Sequence, residues 1–576
     1  MRFPLSPAPW LRRYDRRDLP ADLIAGLTVA VMLVPQGMAY ALLAGMPPVA
    51  GLYASTVPLV AYALVGSSRA LAVGPVAIMS LLTLAGVGAL AEPGSAEFIG
   101  LAGLLALMVG VLQLALGLLR GGVVVAFLSH AVVSGFTSAA AIVIGLSQLR
   151  HLVGVPLTAQ NPLAIAFEAL RRIGEAHPLT LAIGLAAIAL LIAGTRLPKR
   201  FPTPLLVVVL ATTVVAALGL GDQGVRTVGV VPAGLPVPAF PAAPLSAALA
   251  LLPTALAIAF VGFMESIAVA RSLAAQDRER VDADRELVGL GLANLAAGLL
   301  TAFPVTGGFS RSAVNHRAGA RSGLATIVTA SLVAITLLAL TPLFRHLPQA
   351  ALAALVIVAV SGLVDLRTPR HLWRVRRSDA LTLGITFVAT LVIGVEQGIL
   401  IGVGASLGLL VWRNAFPHVA VMGRLDEQGV WRNVARSPEA RLTEGLVVLR
   451  PDASLSFANA TYLRDVVERA LADRADALGL VLDLSAVNDV DAVGLEGLEH
   501  LMVELDQRGI DVHLASMKGP VRDVVARAGW FERHAQRAFH LGLDQAVAAA
   551  LASRARRAPD GGRAVTVSAT APAASD

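Results

Sequence analysis

Apolar stretches of roughly 18–22 residues, separated by short polar joints, follow one another from residue 22 to residue 414. Each is long enough to cross the hydrocarbon core of a bilayer as a helix. No water is available there, so every backbone N–H and C=O must be paired inside the protein. The chain is therefore a polytopic helical membrane protein. Its composition agrees: 56% of residues are hydrophobic and only 15% are charged, outside the range of soluble proteins of this length. Aromatic residues are scarce and Gly and Ala common, so helices can approach closely through small residues. Cysteine is absent, which excludes disulfides, Cys-ligated metals and thiol chemistry.

Residues 1–21 carry Arg2, Arg12, Arg13, Arg16 and Arg17. They read as a cytoplasmic leader with a short interfacial helix around Trp10–Tyr14, and the run after them is too long for a cleavable signal peptide. Spans are expected near 22–44, 48–65, 66–80, 97–119, 123–148, 178–195 and 203–220. A proline-rich outer loop, 229–244, precedes seven more: from 250, then 286–302, 309–320, 322–343, 349–365, 379–395 and 398–414. With the N-terminus inside, the inner segments hold about 21 Arg and Lys and the outer loops about five. The heaviest inner segments are Arg196–Arg200, Arg271–Arg285 and Arg367–Arg377. The net charge of +7 belongs to this topology and not to a nucleic-acid partner.

Two stretches break the helical pattern. Gly66–Ser80 (GSSRALAVGPVAIMS) and Phe303–Asn315 (FPVTGGFSRSAVN) each set Gly and Pro between apolar runs, then resume a helix. Each predicts an extended lead-in followed by a short helix at membrane depth, in the third position of its half. Seven is odd, so the second half enters the membrane in the opposite sense. Pro35-Gln36-Gly37-Met38-Ala39 aligns with Met264-Glu265-Ser266-Ile267-Ala268. This is the pattern of an inverted repeat, whose paired broken helices point to a mid-membrane site.

The second break runs into Ser310, Arg311 and Ser312. An arginine at that depth costs about 2.5–3.5 kcal/mol by insertion scales, so it needs a partner or a wet cavity. A helix N-terminus facing a cavity offers unpaired N–H groups and a charge of about +0.5. With two hydroxyls and a guanidinium, it makes an anion site. The plainer role for Arg311 is a snorkelling anchor; its depth after two glycines opposes that. Ser310 and Ser312 can cap the helix, contact the anion, or do both. Glu265 either neutralises Arg311 in a structural pair or carries a proton with the substrate. Gln36 can hydrogen-bond a bound ion or simply pack, and Tyr40 walls the site. Two half-helix ends and Arg311 balance a divalent oxyanion if Glu265 is protonated, and a monovalent one if it is ionised. His130, His316 and the other histidines lack ligand spacing, so no metal is expected.

Beyond 415 the composition becomes that of a soluble α/β domain. Strands are expected at Gly445–Arg450, Leu478–Leu484 and Asp511–Ala515, with helices after Asn459 (a cap), at Ala492–Gln507 and at Pro520–Ala528. Asp489 and Asp491 sit at a strand-to-helix turn, as caps or as partner contacts. Residues 553–576, rich in Arg, Ala, Ser and Pro, lack an apolar period and are expected to be disordered. The expected domains are thus 1–21, 22–415, 438–552 and the tail 553–576.

Val34–Gly45 (VPQGMAYALLAG), Val73–Leu81 (VGPVAIMSL), Phe303–Asn315 and Val481–Leu498 (VLDLSAVNDVDAVGLEGL), in that order, resemble the SulP anion-transporter family, the sulfate-permease or solute-carrier twenty-six group. The resemblance covers roughly 10–552, and its last stretch looks like the STAS domain of anti-sigma-factor antagonists. It implies fourteen spans as a seven-plus-seven inverted repeat with core and gate domains, usually dimeric. It places Gln36, Tyr40, Val73, Gly74, Phe309, Ser310, Arg311 and Ser312 around an anion between the third and tenth spans. Glu265 matches an acidic position linked to proton or sodium coupling. The chain departs from the family where Gly308 replaces a serine found in some members. It also has Ala492 where anti-sigma antagonists carry a phosphorylatable serine, which argues against phospho-switching there.

The resulting expectation is a secondary anion transporter of a bacterial-type inner membrane, with both termini cytoplasmic. Proton-coupled sulfate uptake is the first choice; bicarbonate, chloride or a dicarboxylate, moved by symport or exchange, are alternatives. A homodimer and a cytoplasmic partner at the STAS domain are expected. No cofactor, nucleic acid or enzymatic activity is expected: no phosphate-binding Gly-Lys-Ser/Thr loop and no nucleophile–base pair is present. A nucleobase carrier is disfavoured by Arg311 and the attached STAS domain, and a pure anion sensor by Glu265.

Overall fold

The apolar runs fold as helices, and the two Gly/Pro breaks as strands. The computed structural model describes residues 9–557 except 13, 123–128, 156, 158–161, 195, 197–202, 242–243, 426–428, 475 and 535–538. The chain divides into two units, Met1–Leu407 and Gly408–Asp576, so the boundary falls inside the last long helix, Val395–Ala415.

Among the described residues of the chain, seven helical segments are long and apolar enough to cross a bilayer unaided: Arg16–Leu43, Pro48–Val65, Ala96–Leu118, His130–Val153, Leu245–Gln276, Leu324–Phe344 and Gln397–Ala415. The other seven expected positions hold shorter or more polar helices: Ala77–Gly88, Pro178–Gly194, Thr203–Ala217, Ala283–Leu299, Phe309–Arg317, Gln349–Ser361 and Arg377–Val392. Together they fill the fourteen expected places. Two boundaries move. The fifth span starts at His130, with 123–128 outside the described residues. The eighth starts at Leu245, not 250, and its 32 residues extend for about 48 Å. Pro244 precedes it, and Pro253 is carried inside the helix.

Small residues set the tightest contacts. Gly103, Gly110 and Gly117 recur every seven residues on the fourth span, and Gly291 and Gly298 do so on the ninth. A Cβ on Gly110 would stand 2.6 Å from the Leu295 amide nitrogen, and one on Gly298 would stand 2.6 Å from the Gly103 carbonyl oxygen. The two backbones therefore meet directly, as small-residue stripes allow in lipid.

The breaks become β1 (Val73–Gly74) and β2 (Thr306–Gly307), which pair antiparallel with Val73 opposite Gly307 and Gly74 opposite Thr306. Equivalent lead-ins running antiparallel are what a two-fold axis in the membrane plane produces, so the pairing fits the inverted repeat. Asn294 fixes the second lead-in: its Oδ1 accepts from the Val305 N–H and its Nδ2 donates to the Val305 carbonyl.

In the second unit, β3 (Val419–Leu425), β4 (Val430–Asn433), β5 (Leu446–Pro451), β6 (Gly479–Asp483), β7 (Asp511–Ala515) and β8 (Phe539–His540) form one sheet. Its order is β4-β3-β5-β6-β7-β8, parallel from β5 to β8, with β3 antiparallel to both neighbours. Every residue of β6 is buried, as a central parallel strand requires. Leu480 and Leu482 face one core with Trp530, while Val481 faces another with Ala546.

Asp491 caps the helix Ala492–Gln507, its Oδ1 accepting from the Gly494 N–H at 2.7 Å, and Asp489 does not. Asn459 is a correction. It occupies the cap position of Ala460–Ala472 without a side-chain capping bond. Its amide is used instead on the Ser456 N–H and on the Ser454 and Asn414 carbonyls. The first residues of the expected disordered tail complete the helix Leu543–Arg557; from 558 on, that expectation lies outside the described residues.

Candidate anion-binding site

Each broken helix starts just after its strand, and their first residues share one cavity. The third-span helix begins at Ala77 with Val76 at its cap position, and the tenth begins at Phe309 with Gly308 at its cap position. Neither cap residue makes a side-chain bond to the helix. The first-turn N–H groups therefore lack intrahelical partners and remain available. Val76, Ala77, Ile78, Gly308, Phe309 and Ser310 all line a cavity of about 340 Å³.

Arg311 lies one residue deeper and is 2% exposed. Its Nη1 donates to the Pro75 carbonyl at 2.7 Å, while Nε and Nη2 are buried with no hydrogen-bond partner. Leaving such donors unmet in the native state costs about 1–3 kcal/mol, more for charged groups. The Pro75 bond turns the guanidinium across the strand pair into the cavity wall. Glu265, on the eighth span, lines the same cavity, and its Oε2 is also buried without a partner. The structural Glu265–Arg311 pair left open by the sequence is not formed.

Gln36, Tyr40, Glu265, Phe309, Ser310 and Arg311 are brought together in the cavity wall. Val73, Gly74 and Ser312 are not among its lining residues. Val73 and Gly74 form the strand; Gly74 has φ +151°, and a Cβ there would lie 3.3 Å from Arg311 Nη2. Ser312 is fully buried and faces the other way, accepting the Ala72 N–H at 2.8 Å. Neither serine caps the helix, because Gly308 holds the cap position.

Sequence reasoning missed Arg317, which also lines the cavity with its Nε donating to the Ala313 carbonyl. Arg317 stands seven residues after Ser310, on the same face of the short helix, which was an available signal. It also missed Ala359, Val360, Gly362 and Leu363 at the end of the twelfth span. These are apolar or small, and nothing in the sequence separates them from ordinary lipid-facing residues.

This arrangement can hold an oxyanion. It joins two sets of helix N–H groups, a buried guanidinium with two free edges, a hydroxyl from Ser310 and an amide from Gln36. A carboxyl in the same wall opposes that anion when ionised and tolerates it when protonated.

The profile described as the sulfate permease family matches residues 19–386, and that of the STAS domain matches 437–568. Sulfate transporter 4.1, chloroplastic, of Arabidopsis thaliana is 39% identical over 558 residues, covering 93% of this chain and 81% of its own. A probable sulfate transporter of Mycobacterium tuberculosis is 36% identical over 542 residues, covering 93% and 96%. Among solved structures, the murine Solute Carrier 26 family member A9 anion transporter in the inward-facing state superposes with a TM-score of 0.86. It is 26% identical, and the match covers 94% of this chain and 93% of that one.

Proposed function

The chain belongs to the sulfate permease family, and from that membership we propose that it is a secondary transporter carrying sulfate with a proton by alternating access. The observation that carries the proposal is the Arg311 guanidinium: buried, fixed by one carbonyl, and left with two unpartnered nitrogens in a cavity shared by two helix N-termini. A doubly charged oxyanion satisfies those donors. Glu265, in the same wall, takes a proton when the anion enters, so the two charges do not compete. Release of the anion to the far side then frees the proton. The core, carrying both broken helices, rocks against the gate to alternate access. The protein sits in a bacterial-type inner membrane as a homodimer with both termini in the cytoplasm, where the STAS domain serves regulation or assembly.

Radiolabelled sulfate uptake into proteoliposomes, with and without an inward proton gradient, tests this. Wild-type protein is expected to accumulate sulfate when the gradient is imposed. Glu265→Gln is expected to bind sulfate but to lose the response to the gradient. Wild-type accumulation indifferent to the gradient would sink proton coupling. No sulfate uptake with or without the gradient, where labelled bicarbonate accumulates, would move the substrate to that anion.

A further inference from the structure

Between the twelfth and thirteenth spans the chain forms a nine-residue helix, Arg367–Val375, with the sequence RTPRHLWRV. At 100° per residue, Arg367, Arg370, His371 and Arg374 fall on one arc, and Leu366, Pro369, Leu372, Trp373 and Val375 on the remainder. A helix divided this way on a soluble surface buries its apolar side. Here Leu366 and Trp373, together at one margin of that side, are 65% and 61% exposed, and Val375 at the other margin is 67% exposed, while Pro369 and Leu372 between them are half-buried. Arg376 and Arg377 follow directly, giving five arginines in eleven residues. The side chains of Arg367, Arg370 and Arg374 make no hydrogen bond or ion pair among the described residues.

The helix is nevertheless held in place. Asp365 Oδ1 accepts the Arg367 and Thr368 N–H groups at 2.8 and 3.1 Å. The Asp365 amide donates to Ser138 Oγ on the fifth span at 3.1 Å, and the Ser134 hydroxyl donates to Asp365 Oδ2. Two membrane spans flank the element, so it starts and ends at the bilayer surface. Just upstream, Val360, Gly362 and Leu363 line the cavity described above.

We propose that Arg367–Val375 lies in the plane of the membrane interface, with Leu366 and Trp373 among the acyl chains, and that Arg367, Arg370 and Arg374 hold the phosphates of anionic phospholipid. Three features select this occupant. The apolar arc and basic arc match an interfacial helix. Tryptophan favours the headgroup level. The charge is of one sign, which an anionic leaflet complements along its whole length. Five residues separate the helix from a span whose end walls the cavity.

The absence of cysteine makes Trp373→Cys a single labelling position for a bimane fluorophore on the full chain. The labelled protein is reconstituted in phosphatidylcholine vesicles containing the same mole fraction of brominated phosphatidylcholine or brominated phosphatidylglycerol. Each arginine near an anionic surface gains roughly fivefold in attraction, so the phosphatidylglycerol is expected to quench at least about twofold more strongly. Changing Arg367, Arg370 and Arg374 together to Gln should equalise the two lipids. Changing all three to Lys should preserve the preference, which separates loss of charge from loss of fold. No quenching by either lipid would show the face covered by protein, the chain's own second unit or a second copy, and would overturn the proposal. So would equal quenching in the arginine background, or a preference that survives the Gln changes. Quenching requires no transport, so this test stands or falls apart from the anion site.

Discussion

Ala77–Gly88 and Phe309–Arg317 each follow a two-residue strand, with two residues and one residue between, and both put their first residues in the same cavity wall. The first is apolar at its start: Val76, Ala77 and Ile78 offer only backbone. The second carries Ser310, Arg311, Ser312 and Asn315. Those side chains also serve the other element. Arg311 donates to the Pro75 carbonyl, Asn315 donates to the Ala70 carbonyl, and Ser312 accepts the Ala72 N–H. The inverted repeat thus duplicates the backbone geometry, two helix ends around one cavity. The chemistry is placed on one copy, which also satisfies the backbone of the copy lacking it.

Arg311 tests this asymmetry most severely, because it joins the cavity to the scaffold. Arg311→Ala is expected to reduce sulfate uptake at least about 100-fold, the scale of removing one partner from a buried charged pair. Arg311→Lys should recover only part, since an ammonium cannot face Pro75 and the cavity together. Uptake and equilibrium binding in proteoliposomes check both. Unchanged binding in the alanine variant would place the anion elsewhere.

Ser310 and Ser312 sharpen the same contrast, two residues apart. Ser312→Ala leaves the buried Ala72 N–H without a partner and should destabilise the protein by about 1–3 kcal/mol. Ser310 is exposed in the cavity, and the role proposed for it is contact with the ion. Ser310→Ala should raise the KM for sulfate a few-fold with little change in thermal unfolding. Gly74→Ala belongs between them. Its φ of +151° suits glycine alone, and the added Cβ would sit 3.3 Å from Arg311 Nη2. A cost of about 1–3 kcal/mol is expected from the backbone, with a raised KM from the displaced guanidinium. Thermal unfolding and uptake kinetics on each variant separate the two roles.

The spans, both breaks and a buried Arg311 at the second break were legible in the sequence because their signals are local. Apolar length, Gly/Pro punctuation and a charge at membrane depth are each read from adjacent residues. Ser312 was not legible in the same way. Its partner, Ala72, is 240 residues distant, and the direction of its hydroxyl depends on where the tenth helix begins. Asn459 failed for a related reason: a residue suited to capping met stronger acceptors and a donor in the preceding loop. The twelfth-span wall at Val360, Gly362 and Leu363 carries no chemistry in its side chains, so only packing could assign it. Glu265 was legible as an unusual acid, but whether it met Arg311 depended on the Pro75 carbonyl holding the guanidinium.

The smallest expected effect lies at the other end of the tenth helix. His316 Nε2 and Asp277 Oδ2 are 3.0 Å apart, and Arg69 Nη2 reaches Asp277 at 3.2 Å and Glu279 at 2.9 Å. These contacts again join the third-span lead-in to the tenth helix, this time through charges. All four side chains are partly exposed, so water and salt weaken the cluster. Asp277→Asn should cost less than about 1 kcal/mol, and less still at high salt. Burial pushes the Asp277 carboxyl up, but the contacts with His316 and Arg69 outweigh it and hold it below the ordinary carboxylate range. Its contribution is therefore full above that range and is lost as pH falls through the lowered value. Thermal unfolding across pH and salt measures it. A loss as large as that of Ser312→Ala would mean that charges at the mouth, not the mid-membrane strand pair, hold the two broken helices together.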